Sequence, residues 1–318
     1  MEKGNQGKHF AYQVGEPALC MLMAYRECGI ISRAFMLKEH GELIDKIRSR
    51  SEPFTNTPEK ELIFLESRIY VEMVERVCQL IEDFATLCYA LSRDLSAFPQ
   101  NILSQKVSVS NKLENLTNHA PWYTLLRYPK LDIPGFSKED KMFIHEHYKR
   151  NINVLCNLAK VLKEFKKLHW RFYTKHKHAN PLIYGLKKIE STEEPTIFIP
   201  AVNDEKQPEK VEGILINYSM YKKQQKIANT LMSLMKNLLE RTIIFIELNG
   251  KPSIEHTSYY KMDNTAAQKL QSLIEEYNTN IRRTPIEVTL KVEILGKIVR
   301  KFAGFYNSLD LGAFYKKD

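Results

Sequence analysis

The chain has 318 residues, of which 43% are hydrophobic and 27% charged. That is enough apolar material for one large folded core or two ordinary ones, and it argues against disorder over the whole length. No run approaches the roughly 18 uninterrupted apolar residues of a membrane helix, and the polar start MEKGNQGKHF lacks the apolar centre of a signal peptide; the expectation is a cytoplasmic protein with no membrane partner.

Five cysteines, Cys20, Cys28, Cys78, Cys88 and Cys156, form no C-x-x-C pair and have no close histidine. They are expected to be buried free thiols, with no structural zinc. The net charge of +9 is unevenly spread: residues 160–190 hold nine Lys or Arg against Glu164 and Glu190, together with His169, His176 and His178. A local excess of this kind predicts attraction to anions, nucleic acid among them.

In chain order, Pro17 sits where the first turn of a helix tolerates it, and an apolar stripe follows through Leu19, Leu22, Met23, Ile30, Ala34, Leu37, Ile44 and Ile47, ending near Pro53. Gly29 and Gly41 predict a bend. Thr57 and Pro58 open a second helix whose seam, Tyr70, Val74, Val77, Ile81, Phe84, Cys88 and Leu91, has heptad spacing. Two such helices joined by a short connection are expected to pack antiparallel. Between 97 and 136, four prolines predict a long excursion with at most a short helix from Ile102 to Leu116. Ser137 and Asp140 then form a capping-box pattern for a third long helix. Its seam runs Tyr148, Leu155, Leu158, Leu162, Phe165, His169, Phe172, His176, and it should end near His178, short of Pro181.

After Pro181 the runs TIFIPAV (196–202) and EGILINY (212–218) predict a hairpin. A helix from about Ser219 carries Ile227, Leu231, Leu234 and Leu238, another capped by Asp263 carries Leu270, Leu273, Tyr277 and Ile281, and strict alternation from Ile286 to Ile294 predicts a strand. The expected fold class is mostly α, a long-helix bundle with a smaller C-terminal α/β portion. The expected division is a helical bundle over 1–185 and a mixed portion over 186–318.

Motifs for nucleotide phosphates, dinucleotides, zincins and α/β-hydrolases are absent, and no motif calls for a cofactor. His145 and His147, two positions apart, point to different sides of a helix and cannot easily share a metal; a solvated face is the expected reading. What remains is the stretch from Trp170 to His178. Arg171 has four residues between it and His176, and six between it and His178.

An Arg followed at that spacing by His, late in a helical bundle, resembles the HEPN superfamily. The resemblance covers the motif and the helical half, and departs from the commoner pattern in having Phe172 directly after the Arg. It implies an RNA-directed protein, either a metal-independent ribonuclease or a non-catalytic binding relative, often dimeric. The chemistry is reasonable for these residue types: histidine moves a proton near neutral pH and arginine stabilises phosphate charge.

The catalytic candidates are Arg171, His176 and His178; the nucleic-acid-binding candidates are Lys167, Trp170, Tyr173, Lys175 and Lys177. On a straight helix Arg171 and His176 lie about 140° apart and Arg171 and His178 within about 20°, so a site using His176 needs a distorted helix or a second chain. Three other readings stand beside it. His169 and His176 can be ordinary seam residues, and the cations an ordinary helix C-terminus. The protein can be a non-catalytic interaction module that dimerises through its helical seams and binds RNA or another acidic partner. Finally, His169, His176 and Tyr184 can line a small-molecule site.

Overall fold

The computed structural model describes residues 15–104, 107–128, 136–177, 183–189, 192–202, 210–248, 250, 255–256, 264–280 and 283–287. Helix α1 (Glu16–Ala24) follows Gly15, which takes φ 79°, a left-handed conformation open to glycine, and has Pro17 in its first turn. It runs through a π-helical segment, Tyr25–Ile31, into α2 (Ser32–Ser49). The bend expected from Gly29 thus takes the form of a wider helical turn. The stripe on these helices is narrower than the sequence suggests: Leu22, Ile30, Leu37, Ile44 and Ile47 are buried, whereas Met23 and Ala34 are exposed.

Helix α3 (Glu59–Leu91) buries its entire heptad seam, from Tyr70 to Leu91. Three short helices follow, α4 (Phe98–Leu103), α5 (Val109–Leu116) and α6 (His119–Leu125). The excursion between 97 and 136 is therefore more helical than expected, because Pro99 and Pro121 lie in the opening turns of α4 and α6, where proline starts helices instead of breaking them. Trp122 anchors this region: it is fully buried, and its indole N–H donates to the Leu116 carbonyl at 2.7 Å.

Helix α7 (Lys138–Lys177) is one uninterrupted helix of 40 residues. Its start is a capping box, with the Asp140 amide donating to Ser137 Oγ at 3.0 Å and the Ser137 amide donating to Asp140 Oδ2 at 3.1 Å. Tyr148, Leu155, Leu158, Leu162, Phe165 and His169 are all buried along its seam. Burying a Leu or Phe side chain contributes about 1.5–3 kcal/mol, so this seam is a main source of stability. Strands β1 (Ile183–Ile189), β2 (Thr192–Val202) and β3 (Lys210–Ile216) come next, then α8 (Tyr218–Glu247), α9 (Thr265–Asn280) and β4 (Arg283–Glu287). The strands pair antiparallel in sequence order, with Ile197 opposite Ile216 and Val211 opposite Ile286.

The expected C-terminal α/β portion is overturned. The fold is a mostly-α, long-helix bundle, and both long helices that follow residue 185 belong to its helical cores. In α8, Arg241 donates to the Leu126 carbonyl at 2.8 Å and to the Tyr148 hydroxyl of α7, while Tyr221 donates to the His40 carbonyl of α2 at 3.4 Å. An all-antiparallel run of neighbouring strands also lacks the crossover helices that define α/β architecture. The apolar faces of α8 and α9, with Ile227, Leu231, Leu238, Leu270 and Tyr277 buried, complete the helical packing. The capping role expected of Asp263, and the strand expected beyond Glu287, lie outside the described residues.

Two compact units are formed from interleaved stretches. One comprises the described residues up to Glu39 with Arg76–Leu168 and Gln225–Glu276; the other comprises His40–Glu75, His169–Gln224 and the described residues from Tyr277 onward. Among the described residues no helix is long and apolar enough to cross a membrane.

The cysteines separate into two kinds, which corrects the expectation that all are buried. Cys78, Cys88 and Cys156 are buried, and burial pushes all three thiols up; Cys20 and Cys28 on α1 and the π-helical segment are exposed. A thiolate-directed reagent such as Ellman's is expected to titrate two thiols of the native protein quickly and the other three only on unfolding. Five fast thiols in the native state would contradict this packing.

Candidate functional site

The end of α7 is where the sequence points first. The helix continues without a break to Lys177, so Arg171 and His176 stay five positions apart on regular α-helical backbone. Lys167 is exposed, Trp170 is half-buried, and Tyr173 is buried with its ring 5.3 Å from that of Trp170. His169 is fully buried, tilted against Tyr277 at 5.5 Å. Lys175 and Lys177 lie on the same helix, while His178 and Tyr184's side chain lie outside what is described.

The basic stretch is less open than its composition suggests. Lys163 pairs with Glu114 of α5, and Lys166, 8% exposed, donates to Ser110 Oγ at 2.6 Å. Burial pulls the Lys166 ammonium down from its ordinary value, only partly offset by Glu82. Lys112 of α5 behaves alike, buried and donating to Thr86 at 3.0 Å. Of the four lysines between 160 and 167, Lys160 and Lys167 are left on the exposed ridge, which also carries Lys149, Arg150, Asn153 and Asn157.

A second cluster is polar and partly buried, between α2, α3 and α8 within one unit. Glu66, 6% exposed, accepts from both Arg48 and the Tyr70 hydroxyl. Burial and the neighbouring Glu66 push the Tyr70 hydroxyl far up. Arg48 also lies over the Tyr218 ring at 4.0 Å, and Tyr218 and Lys222 both donate to Asp45 at 3.0 Å. Beside them His40 Nε2 meets Glu72 Oε2 at 3.2 Å; a carboxylate only accepts, so this nitrogen carries the proton. The hydrogen bond from His40, joined by one from Arg68 at 3.1 Å, holds the Glu72 carboxyl below its ordinary value against the opposing effect of burial. Each of its three carboxylates, Glu66, Asp45 and Glu72, is shared by two donors, as in a structural network.

The third feature was not anticipated. A cavity of about 520 Å³ opens between the first half of α7 and the start of α9, lined among the described residues by His147, Arg150, Asn151, Asn153 and Val154 from α7 and by Asn264 and Gln268. His145, two residues before His147, points elsewhere and bonds the Tyr128 hydroxyl at 2.9 Å, as the two-residue spacing requires. The sequence signal was the amide pair in Asn151-Ile152-Asn153, on a stretch of helix read only for its seam. Among the described residues no group of three or more His, Cys, Asp or Glu could hold a metal ion.

These features define a mostly-α long-helix protein with a cationic helical ridge and a polar, amide-lined cavity. No protein-family model matches the chain, and no curated protein or solved structure is significantly similar to it.

Glu72 yields a pH test. Its carboxyl is held low in the folded protein, so the stability it contributes is complete above the unfolded value of about 4.3 and is lost as pH falls through the lower folded value. Denaturant midpoints measured from pH 7 to pH 3 should therefore converge for the wild type and Glu72→Gln at the acid end. A gap that stays constant over that range would show that Glu72 does not titrate against His40 and Arg68.

Proposed function

We propose that the protein is a non-catalytic, RNA-directed binding module, which holds the phosphate backbone on the exposed ridge at the basic end of α7. The supporting observation is the phase of that helix. His169 is a fully buried seam residue, and His176, seven positions on, falls at the same seam register; Lys160 and Lys167 stand on the opposite, exposed ridge. Arg171 continues the ridge register. On regular backbone the two members of the Arg–His motif thus fall about 140° apart in helical register, which suits separate roles better than a shared acid–base site.

Lys167, Arg171, Lys175 and Lys177 are the residues assigned to the RNA backbone, and the half-buried Trp170 lies on the same stretch of helix. The seams of α3 and α7 are already buried within one chain, so this reading needs no second copy. The ribonuclease form of the HEPN resemblance needs Arg171 and His176 to converge, and a two-fold dimer is the arrangement that would bring them together.

The two readings part in one experiment. Single-stranded RNA incubated with the full chain in excess EDTA should remain intact, and should bind with an affinity that falls steeply with salt. Lys167→Gln and Lys175→Gln should each reduce the slope of log affinity against log salt by about 0.7. RNA cleavage that disappears in both Arg171→Ala and His176→Ala would replace this reading with the nuclease. No RNA binding at low salt would remove RNA as the partner.

A further inference from the structure

We propose that the outward face of the helix running from α1 through the π-helical segment into α2 is a dimer interface, on which a second copy of this chain packs antiparallel about a two-fold axis. Two neighbouring columns of i, i+4 residues make that face. One is Cys20, Ala24, Cys28, Ser32 and Met36; the other is Met23, Glu27, Ile31, Phe35 and Glu39. All are exposed, and all lie within one of the two units. Only Glu27 and Glu39 among them are charged. The π-helical segment keeps the columns in line. Over the same length a plain α-helix would leave Cys20 and Met36 about 160° apart. A π turn holds one residue more than an α turn, so the segment Tyr25–Ile31 takes back about 100° of that drift. The wider turn thus gives one continuous face in place of a spiral.

Area and charge both favour a second copy as the occupant. Met23, Ile31, Phe35 and Met36 are between 41% and 59% exposed, together roughly 400 Å² of side chain, a patch of the size that marks an interaction surface. Two such patches, with the polar share usual at interfaces, bury about 1,200–1,400 Å² in all, the lower end of the range for a specific interface. From Glu16 to Glu39 the helix carries three acids and three Arg or Lys, so two copies meet there without net repulsion despite the +9 of the whole chain. The face also fits itself. Setting Met23 of one copy against Met36 of the other makes Ala24 face Phe35, Cys28 face Ile31, Glu27 face Ser32 and Cys20 face Glu39. Every residue of one column meets a residue of the other, and each pair occurs twice, as a two-fold axis requires. Phe35 and Ile31 then face the small Ala24 and Cys28, and the Ser32 hydroxyl can donate to the Glu27 carboxylate.

Sedimentation velocity of the full chain from about 1 to 200 µM is expected to show a reversible dimer, with a dissociation constant of about 1–100 µM, as suits a small interface. Phe35→Glu places an unpaired carboxylate in each half of the interface and should weaken association at least about a hundredfold; Met36→Lys should act likewise. Both positions are exposed in the single chain, so the thermal midpoints of the dilute variants should match the wild type. The cysteines report the direction of packing. In the antiparallel pair the two Cys28 lie within about one helical turn of each other, whereas the two Cys20 are about 28 Å apart along the axis. A short bismaleimide should therefore join Cys28 to Cys28 and leave Cys20 unjoined. Both thiols are fast in the monomer, and association should slow them as concentration rises. A chain that stays monomeric at about 200 µM, or a dimer that Phe35→Glu and Met36→Lys leave intact, would overturn the proposal. So would a Cys20–Cys20 link, the mark of a parallel pair. Cys28 slow at every dilution would show the face covered from within the chain, and would overturn it too.

Discussion

The continuous burial of one face of α7 is the constraint on which the rest depends. Forty residues of helix extend about 60 Å, and Ile144, Tyr148, Leu155, Leu162, Phe165 and Tyr173 keep the same side buried along most of that length. No isolated helix of this composition would hold its phase through Lys-rich segments by propensity alone; tertiary burial does so. Once that phase is set, every other residue of the helix is sorted. Lys149, Arg150, Asn153, Asn157, Lys160 and Lys167 are given to solvent, while His169 and Lys166 are taken inside despite their polarity.

Taking polar groups inside requires partners, and the fold supplies them from α2, α3 and the short helix α5. Lys166 and Lys112 reach Ser110 and Thr86, and Arg127 donates to the Leu91 carbonyl at 2.9 Å. Glu66 collects Arg48 and Tyr70. Such networks are weak contributors to net stability, since desolvation offsets much of their attraction, but breaking one partner leaves a buried charge exposed to an apolar surround. Their consequence is specificity of register. A slip of α3 by one residue would turn its face by about 100°, separating Glu66 and Tyr70 from Arg48 and carrying the apolar seam out of the core at once.

The seams of α3 and α7 and the Ser137–Asp140 cap were legible in the sequence because each is written in residues close together in the chain. What was not legible depended on contacts between distant segments. Pro99 and Pro121 read as breakers when their neighbours are unknown, yet both start helices. The α/β reading of the second half failed for the same reason: alternation and β-branching indicate that a segment can be extended, not which core its neighbouring helices join. The count of cations in 160–190 overstated the open charge because Lys163 and Lys166 find Glu114 and Ser110 on a helix about fifty residues earlier. The cavity at Arg150 was invisible for a stronger reason, since part of its wall comes from Asn264 and Gln268, more than a hundred residues on.

The exposed ridge of α7 sets how it would recognise an anion. It presents lysines on long, rotatable stems with no shared geometry, so each phosphate contact is formed at an entropic cost and carries little information about what bears the phosphate. A polymer suits such a surface, because many weak contacts act together and register is unimportant. The buried seam determines which residues stand there: Lys149, Arg150, Lys160 and Lys167 share the ridge because Tyr148, Leu155, Leu162 and Phe165 take the opposite face.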